Sequence, residues 1–232
     1  MVIIITGASK GIGYQTALQL SADKNNTVIA ISRSEKGLKK LAEKSHGSII
    51  TISFDLKMYK GIPSLLVSEI KRFTKHVDVL INNAGILIKK NLDALSATEI
   101  EDAYSVNVFA PMLLIKGLLP MMGGTRATHI INISSMGGIK GSVKFPGLSA
   151  YSSTKAALIN LSECLAVELK EKNIAVNCVT FGSVKTEMFG EAFPTAKAAL
   201  SVDDAAKYLA DFCLKGNKYF NGKVLEVSSS TP

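Results

Sequence analysis

The sequence is poor in residues that cross-link a chain or bind a metal. Three cysteines, Cys164, Cys178 and Cys213, lie far apart and form no Cys-x-x-Cys pair. An odd number at such spacing argues against a disulfide framework and against a zinc site, and it fits a reducing compartment. The three histidines are equally scattered. We therefore expect neither a disulfide framework nor a metal centre.

The sequence also lacks segments that would target the chain or cross a membrane. A strand-like run begins at the second residue, which leaves no room for a cleaved signal peptide. The longest apolar region, 106–122, is interrupted by Asn107, Lys116 and two prolines, so it is a poor membrane span. No linker, repeat or low-complexity segment divides the chain. We expect a soluble cytoplasmic protein, without a membrane partner, whose residues 1–232 form a single domain.

Acidic residues are outnumbered by basic ones, 19 against 27, and the formal net charge is +8. A basic surface of this kind would suit a nucleic-acid partner. However, the lysines occur singly or in pairs, such as Lys39-Lys40 and Lys89-Lys90, without a stripe or interleaved aromatic side chains. We expect solvated lysines and no nucleic-acid partner. A weaker consequence of the charge is electrostatic steering of an anionic cofactor.

What the sequence does contain is a strand, a glycine turn and a helix in direct succession at its start. The apolar residues 2–5 predict a strand buried on both faces, and Thr6-Gly-Ala-Ser-Lys-Gly-Ile-Gly13 follows at once. Glycines let the turn approach a ligand closely, and the helix from Ile12 points its first N–H groups back at the turn. This arrangement suits a pyrophosphate. A glycine motif alone is also found in simple turns, but the strand–turn–helix context favours a nucleotide site.

Strand-like and helical segments alternate along the whole chain. The predicted strands are 2–5, 27–32, 48–54, 77–81, 128–133, 174–180 and 222–227. The predicted helices are one from Ile12, then 35–44, 62–73, about 98–119, 150–170 and about 203–214. Such alternation predicts an α/β fold, a doubly wound parallel sheet of Rossmann type with about seven strands and helices on both faces. Its ligand crevice then lies at the carboxyl ends of the strands.

The end of the second strand bears on the choice of dinucleotide. Many dinucleotide folds place an acid there to bind the adenosine ribose, and that acid repels a 2′-phosphate. This sequence has Ser32 followed by Arg33, and Lys10 stands in the glycine turn. Two cations without the acid favour NADP(H), because a guanidinium binds phosphate with two hydrogen bonds. The other interpretation is two ordinary surface cations.

Tyr151 and Lys155 carry the clearest chemical signal. They are four residues apart at the start of a predicted helix, so they lie on one face, a turn apart. A neighbouring ammonium favours the phenolate, so we expect Lys155 to lower the pKa of Tyr151 from about 10. Ser135, at the end of a strand, can bond the substrate oxygen, and Asn107 could hold a water that connects Lys155 to solvent. A Tyr-x3-Lys pair alone also occurs on solvated helix faces.

With these motifs in this order, the chain resembles the short-chain dehydrogenase/reductase family from about Val2 to Val227. The resemblance implies a catalytic tetrad of Asn107, Ser135, Tyr151 and Lys155. Tyr151 would be the acid–base, and Lys155 would also bind the nicotinamide ribose. Ser135 fits the family pattern better than Ser134, because the catalytic serine precedes a short apolar–glycine run.

The resemblance also implies a set of cofactor-binding residues. Asp55 looks like the residue that meets the adenine amino group, Asn82-Asn-Ala-Gly85 supports the adenine side and the sheet, and Thr186 meets the carboxamide. On residues alone, Asn82-Asn-Ala-Gly85 could be only a turn. The full set is Gly7, Ser9, Lys10, Gly11, Ile12, Gly13, Arg33, Asp55, Leu56, Asn83, Ala84, Gly85, Tyr151, Lys155, Gly182, Val184 and Thr186. In the family, basic residues at the positions of Lys10 and Arg33 mark a preference for NADP(H).

The chain departs from the family pattern at three points. Ser135 and Tyr151 are 16 positions apart, a few more than is common, so loop 139–148 carries extra residues beside the substrate. The usual Pro-Gly after the sixth strand is Phe181-Gly182. The C-terminus lacks the usual Asp-Gly-Gly-like ending, which bears on assembly through that edge.

These features predict an NADP(H)-dependent oxidoreductase that reduces a small-molecule carbonyl to an alcohol. A short lid at about 185–200 carries Met188, Phe189 and Phe193, which with Phe145 would line a small apolar pocket or simply pack in the core. We expect a ketone, diketone, quinone or pterin-type carbonyl rather than a carrier-bound acyl chain. The alternative is a non-catalytic NADP(H) sensor. The helices near 98–119 and 150–170 are apolar on more than one face, so we expect a homodimer or homotetramer.

Overall fold

The structure, a computed structural model, describes residues 1–228, so the last four residues of the predicted domain lie outside it. Seven parallel strands form one sheet in the order β3-β2-β1-β4-β5-β6-β7. The strands are β1 Val2–Thr6, β2 Thr27–Ser32, β3 Ile49–Ser53, β4 Val79–Asn82, β5 Thr128–Ser135, β6 Ile174–Phe181 and β7 Val224–Val227. The predicted doubly wound sheet is therefore confirmed.

Helices cover both faces of the sheet. The α-helices are α1 Gly11–Ser21, α2 Glu35–Lys44, α3 Val67–Phe73, α4 Ala97–Tyr104, α5 Ala110–Leu118, α6 Ser149–Glu168, α7 Glu187–Ala192 and α8 Val202–Lys215. Short 3₁₀ turns lie at Leu56–Gly61, Leu92–Ala94, Leu119–Met121, Met136–Gly138, Lys170–Lys172 and Gly216–Lys218. One apolar core packs α3, α5 and α6 against the sheet, and a second packs α1, α2 and α8 against the other face. The alternating side chains of β1 feed both cores, which explains its unbroken apolar sequence.

The strand order places a crevice beside β1. The chain builds outward from β1 to β3 and then returns, so β4 pairs with the other side of β1. The connections after β1 and β4 therefore diverge, and a crevice opens between the carboxyl ends of these strands. The strands end within two residues of their predicted positions, and β5 extends to Ser135. Most of the sequence motifs thus reach one edge of the sheet.

Two predicted helices contain π-helical turns that the sequence pattern does not indicate. The helix expected at about 98–119 widens at Ser105–Phe109, between α4 and α5. Pro111 explains the irregularity, because it has no N–H to donate to the carbonyl of Asn107. A second π turn, Ile62–Leu66, precedes α3. There Leu65 is 55% exposed, although its neighbour Leu66 is buried.

One helical region within residues 1–228, Ala97–Met121, is long and apolar enough to span a membrane by length and composition. Half of its most apolar window is buried inside the protein. Core helices of folded domains meet the same criteria, so this property is weak support for a span. In the same part of the chain, no group of three or more His, Cys, Asp or Glu side chains could hold a metal ion.

Candidate active site

The glycine turn after β1 packs against the end of β4 too closely for side chains. Gly7 has φ of +70°, and a Cβ added to it would lie 2.7 Å from the Cα of Ala84. A Cβ on Gly13 would lie 2.7 Å from the carbonyl oxygen of Gly7. Since real Cβ atoms do not approach backbone so closely, both positions require glycine. The bare backbone that results can lie against a bound phosphate.

Asn83 fastens this turn to the sheet. Its side-chain amide donates to the carbonyl oxygens of Thr6 and Gly7, at 3.0 and 3.3 Å. The Thr6 hydroxyl in turn accepts the backbone N–H groups of Asn83 and Ala84, both at 3.1 Å. The Asn-Asn-Ala-Gly segment is therefore more than a turn. Through these hydrogen bonds the segment holds the glycine turn in place.

A cleft of about 580 Å³ runs along the carboxyl edge of the sheet. Sixteen of the seventeen residues predicted to bind the cofactor line it: Gly7, Ser9, Lys10, Gly11, Ile12, Arg33, Asp55, Leu56, Asn83, Ala84, Gly85, Tyr151, Lys155, Gly182, Val184 and Thr186. Gly13 is the exception, because it faces the turn and Asn83 and serves close packing. A cleft of this size with a glycine turn in its wall fits a dinucleotide.

At the end of β2, the cleft carries a cation and no acid. Ser32 is buried and donates its hydroxyl to Ser9 Oγ at 2.8 Å. Arg33 lines the cleft, and within residues 1–228 its side chain makes no ion pair or hydrogen bond. Asp55 lines the same end, and its carboxylate accepts the N–H of Lys57 at 3.0 Å. Asp55 thus begins the 3₁₀ turn that follows β3.

Lys10 contacts a residue that the sequence analysis missed. Its ammonium forms an ion pair of 2.6 Å with Glu187, the first residue of α7. This pair joins the glycine turn to the lid across the cleft, and both side chains are largely exposed. An acid directly after Thr186 was a visible signal, but nothing local indicates that it meets a lysine 177 positions earlier. Lys10 is therefore shared between the lid and any bound anion.

Lys155 is buried behind the cleft on the second turn of α6. Its Nζ donates to the carbonyl oxygen of Ile133 in β5 at 2.9 Å and lies 5.8 Å from the centroid of the Tyr151 ring. Burial lowers the pKa of Lys155 to about 8. The group is thus still mainly an ammonium at neutral pH. The Ile133 carbonyl anchors it at a fixed distance from Tyr151.

The expected lowering of the Tyr151 pKa is wrong for this structure. Burial raises the pKa of Tyr151, and a hydrogen bond with Ser135 only partly offsets that rise. The physical reason is that transfer out of water disfavours the phenolate. Lys155, held by Ile133, does not reverse this effect. Tyr151 is therefore a protonated phenol at neutral pH.

The two serines at the end of β5 have different surroundings. Ser134 is buried and donates its hydroxyl to the carbonyl oxygen of Lys155 at 2.9 Å, which fixes α6 against the strand. The Ser135 hydroxyl accepts the N–H of Gly137 at 3.2 Å and lies beside Tyr151. Of the two, Ser135 thus has its hydroxyl next to the phenol.

Asn107 lies in the π turn and is fully buried, so it does not line the cleft. Its amide oxygen accepts the N–H of Ile86 at 2.9 Å, and its amide nitrogen donates to Ile86 and to Thr154. A Cβ on Gly85 would lie 3.3 Å from both Asn107 Oδ1 and Lys155 Nζ. Asn107 therefore ties the segment after β4 to α6, close to the ammonium.

The sequence model of the family described as short chain dehydrogenase matches residues 1–197 of this chain. The chain belongs to the short-chain dehydrogenase/reductase family. The resemblance noted in the sequence motifs is confirmed by this match, which extends over the glycine turn, the Tyr-x3-Lys pair and the lid.

Relatives in this family include a ketoacyl reductase and a 3-oxoacyl-[acyl-carrier-protein] reductase. Ketoacyl reductase HetN from Nostoc sp. (strain PCC 7120) is 36% identical over 185 residues, 78% of this chain and 63% of HetN. The 3-oxoacyl-[acyl-carrier-protein] reductase FabG from Aquifex aeolicus (strain VF5) is 30% identical over 246 aligned residues, 98% of this chain and 95% of FabG. The chain spans about three fifths of the length of several relatives, HetN among them.

Solved structures of the family share the fold closely. A short chain dehydrogenase from Burkholderia cenocepacia J2315, in complex with NADP, has a TM-score of 0.88 and 26% identity to this chain. The match covers 99% of this chain and 96% of that chain. Other similar structures are complexes with NADH. Membership of the short-chain dehydrogenase/reductase family therefore leaves the choice between the two dinucleotides open.

The departures from the family pattern have local explanations. Phe181, in place of the usual proline, is buried at the end of β6 and packs edge-on against Tyr208 of α8 at 6.4 Å. The longer loop 139–148 is held by Lys144, whose Nζ donates to the carbonyl oxygens of Gly137 and Ile139. Both departures from the common pattern thus leave an ordered wall in this part of the cleft.

Apolar side chains of the lid and of the loop 139–148 form part of the cleft wall. Phe145, Met188, Phe189 and Phe193 all line it, as the sequence predicts for a substrate pocket. The ring of Phe193 lies 5.5 Å from that of Phe145 and 5.4 Å from that of Phe189. This short-chain dehydrogenase/reductase therefore has an apolar compartment in the same cleft as Tyr151.

Proposed function

We propose that the protein reduces a small apolar carbonyl compound to an alcohol at the expense of NADPH. The observation that carries the proposal is the juxtaposition of Tyr151, Lys155 and Ser135 in a dinucleotide-sized cleft whose wall also contains the aromatic compartment. Family membership supports an oxidoreductase. The relatives that reduce ketoacyl groups support a carbonyl as the reacting group.

In the proposed mechanism, the side chains prepare the carbonyl oxygen to receive a proton. Bound NADPH supplies the hydride that reduces the carbonyl carbon. Tyr151, kept protonated by its buried site, donates its proton to the oxygen, while the Ser135 hydroxyl holds that oxygen. The Lys155 ammonium stabilises the phenolate that Tyr151 becomes and binds the ribose. Asn107 positions Lys155 through α6 and the segment after Gly85.

The proposed preference for NADP(H) rests on Arg33 and Lys10. Ser32 replaces the acid that would repel a 2′-phosphate. The next residue is Arg33, whose guanidinium lines the cleft and makes no ion pair or hydrogen bond within residues 1–228. We expect Arg33→Ala to weaken NADPH binding about tenfold or more, the effect of losing a charge-assisted contact of about 1.5–3 kcal/mol. Fluorescence titrations with NADPH and with NADH measure the two affinities. The affinity for NADH should not change.

Arg126→Ala is a matched control for this substitution. Arg126 is exposed, precedes β5 at the opposite edge of the sheet, and lies 3.9 Å from Asp78. It should leave the affinity for both cofactors unchanged. Equal affinity of the unmodified protein for NADPH and NADH would refute the assignment of NADP(H).

The proposed substrate class is tested by a screen for NADPH oxidation. The panel contains ketones, diketones, quinones, pterin-type carbonyls and 3-oxoacyl thioesters. The aromatic walls and the short lid favour compact apolar carbonyls, whereas the relatives HetN and FabG favour 3-oxoacyl thioesters as the second candidate. Efficient reduction of carrier-bound thioesters without activity on small ketones or diketones would overturn the first choice.

The alternative proposal is a protein of another functional class, a non-catalytic NADP(H) sensor. It needs the dinucleotide part of the cleft but neither Tyr151 nor the aromatic compartment. The presence of both supports the enzyme. We further propose a cytoplasmic location, since three widely spaced cysteines suit a reducing compartment.

We also propose that the protein is a homodimer or homotetramer assembled through the helices of residues 97–118 and α6. Phe109 and Met112 are 37% and 42% exposed, and Val167, near the end of α6, is 78% exposed. Large apolar side chains at such exposure suit an interface between copies. We expect light scattering at micromolar concentration to give twice or four times the mass of 24.7 kDa. A monomer under those conditions would contradict the prediction.

A further inference from the structure

Lys89 connects the loop after β4 to the lid. Its Nζ donates to the carbonyl oxygen of Ala192, the last residue of α7, at 2.6 Å. The same ammonium lies 4.4 Å from the centroid of the Phe193 ring, within the range of a cation–π contact. We propose that Lys89 is a positioning residue that holds Phe193 in the wall of the substrate compartment. This inference rests on the proposed function for its meaning in catalysis.

The lid helix needs external support at its C-terminal end. With six residues, α7 is too short to satisfy most of its own terminal carbonyl groups. Thr186 caps the other end, where its hydroxyl accepts the N–H of Phe189 at 3.2 Å. Lys89 gives the Ala192 carbonyl a cationic donor, which also suits the negative end of the helix dipole. The two contacts together fix both ends of α7.

Phe193 is the point where three segments of the compartment meet. Its ring contacts Phe189 within the lid and Phe145 in the loop 139–148. The backbone N–H of Lys90 donates to the carbonyl oxygen of Gly147 at 3.0 Å, so the loop after β4 is joined to the same loop. Lys89 completes this arrangement through Ala192. Without Lys89, the Phe193 side chain keeps its ring contacts with Phe145 and Phe189 but loses the contact with the ammonium.

Lys89 acts through Phe193 and does not meet the substrate itself. Phe193, Phe189 and Phe145 line the cleft, whereas Lys89, among the described residues, is not part of its wall. Lys89 is an exposed residue that reaches the lid through its partly buried hydrogen bond to Ala192. The expected consequence is a defect in substrate binding with chemistry and cofactor binding intact. That pattern separates a positioning residue from a catalytic one.

The test compares Lys89→Met with Lys89→Arg and with Lys90→Met as a matched control. Lys90 is the next residue and pairs with Glu99 on the surface at 2.5 Å, away from α7. With a carbonyl that the wild-type protein reduces, Lys89→Met should raise KM about two- to fivefold, the factor that corresponds to one exposed cation–π contact. The turnover rate and the NADPH affinity should not change. Lys89→Arg should restore KM, and Lys90→Met should match the wild type.

Hydrogen exchange of the lid amides gives a readout that does not depend on activity. Lys89→Met should accelerate exchange in residues 187–193 by a similar factor, and the other two variants should not. If no carbonyl is reduced but the lid exchanges faster in Lys89→Met alone, the proposed function fails while the positioning role stands. If Lys89→Met and Lys90→Met behave alike in lid exchange, the positioning role of Lys89 is wrong, whatever the enzyme reduces.

Discussion

Tyr151→Phe is expected to lower the rate of carbonyl reduction by about 10²–10⁴, the contribution of a positioned general acid. The substitution removes one oxygen and keeps the ring that packs at the start of α6. It leaves untouched the glycine turn, Arg33 and the Lys155 ammonium, which is anchored on Ile133. NADPH should therefore bind with wild-type affinity. Stopped-flow rates of reduction and fluorescence titration of NADPH measure the two properties separately.

Tyr104→Phe is the matched control for Tyr151→Phe. The Tyr104 hydroxyl donates to Ser153 Oγ at 3.1 Å, so its loss removes a similar hydrogen bond to the same helix. Tyr104 does not line the part of the cleft formed by residues 1–228. We expect near-wild-type reduction in this variant. If Tyr151→Phe also kept near-full activity with normal NADPH binding, the assignment of Tyr151 as the acid would be wrong.

The second large effect is expected for Lys155→Met, which should damage reduction and NADPH binding together. Removal of the ammonium takes away the charge that stabilises the phenolate and the donor proposed for the ribose. A methionine of similar length can occupy the buried space, so the thermal unfolding midpoint serves to show that the fold is retained. A variant that binds NADPH like the wild type would separate Lys155 from the cofactor and contradict this part of the proposal.

The same lysine predicts how NADPH binding depends on pH. Burial lowers the pKa of Lys155 to about 8, so its positive charge is largely present at pH 7 and is lost as the pH rises past 8. The affinity of the free protein for NADPH should therefore fall through that range. In Lys155→Met the affinity should be lower and should not show this transition. Fluorescence titrations from pH 6.5 to about 9.5 cover the range in which the Lys155 charge is lost, and they test both expectations.

The sequence could predict the position of the cleft because parallel strands end at one edge. Gly7, Arg33 and Ser135 each follow or end a buried strand, so a doubly wound sheet brings them together whatever the details of packing. The helical spacing of Tyr151 and Lys155 likewise needs only local geometry. These inferences depend on periodicity and on chain direction, and the sequence carries both.

The remaining features of the site depend on contacts between distant segments. Lys10 meets Glu187, and Lys89 meets Ala192, across 177 and 103 residues of chain. No local pattern specifies such pairs, because lysines of the same appearance elsewhere remain solvated. The raised pKa of Tyr151 has a similar origin, since burial is a property of the assembled site. For Tyr151, the sequence identified the neighbouring groups, Lys155 and Ser135. It did not indicate whether the charge of Lys155 or the loss of water around the phenol would dominate the pKa.

The π turn at Ser105–Phe109 shows a third limit. Periodicity alone continues the helix through Asn107, and only Pro111, four residues later, hints that the backbone changes there. This change in the helix determines what the Asn107 side chain contacts. Its side chain points into a buried network with Ile86 and Thr154, and it reaches the cleft only through the residues that it positions.

The central claim is that this protein transfers hydride from NADPH to a carbonyl carbon. The most direct measurement uses NADPH with deuterium at the transferable position of the nicotinamide, incubated with the protein and each member of the carbonyl panel. Mass spectrometry should find deuterium on the carbinol carbon of at least one compact apolar product, and Tyr151→Phe should lose that product. Tight binding of NADPH by a correctly folded protein, with deuterium on no member of the panel, would contradict the account and favour the sensor.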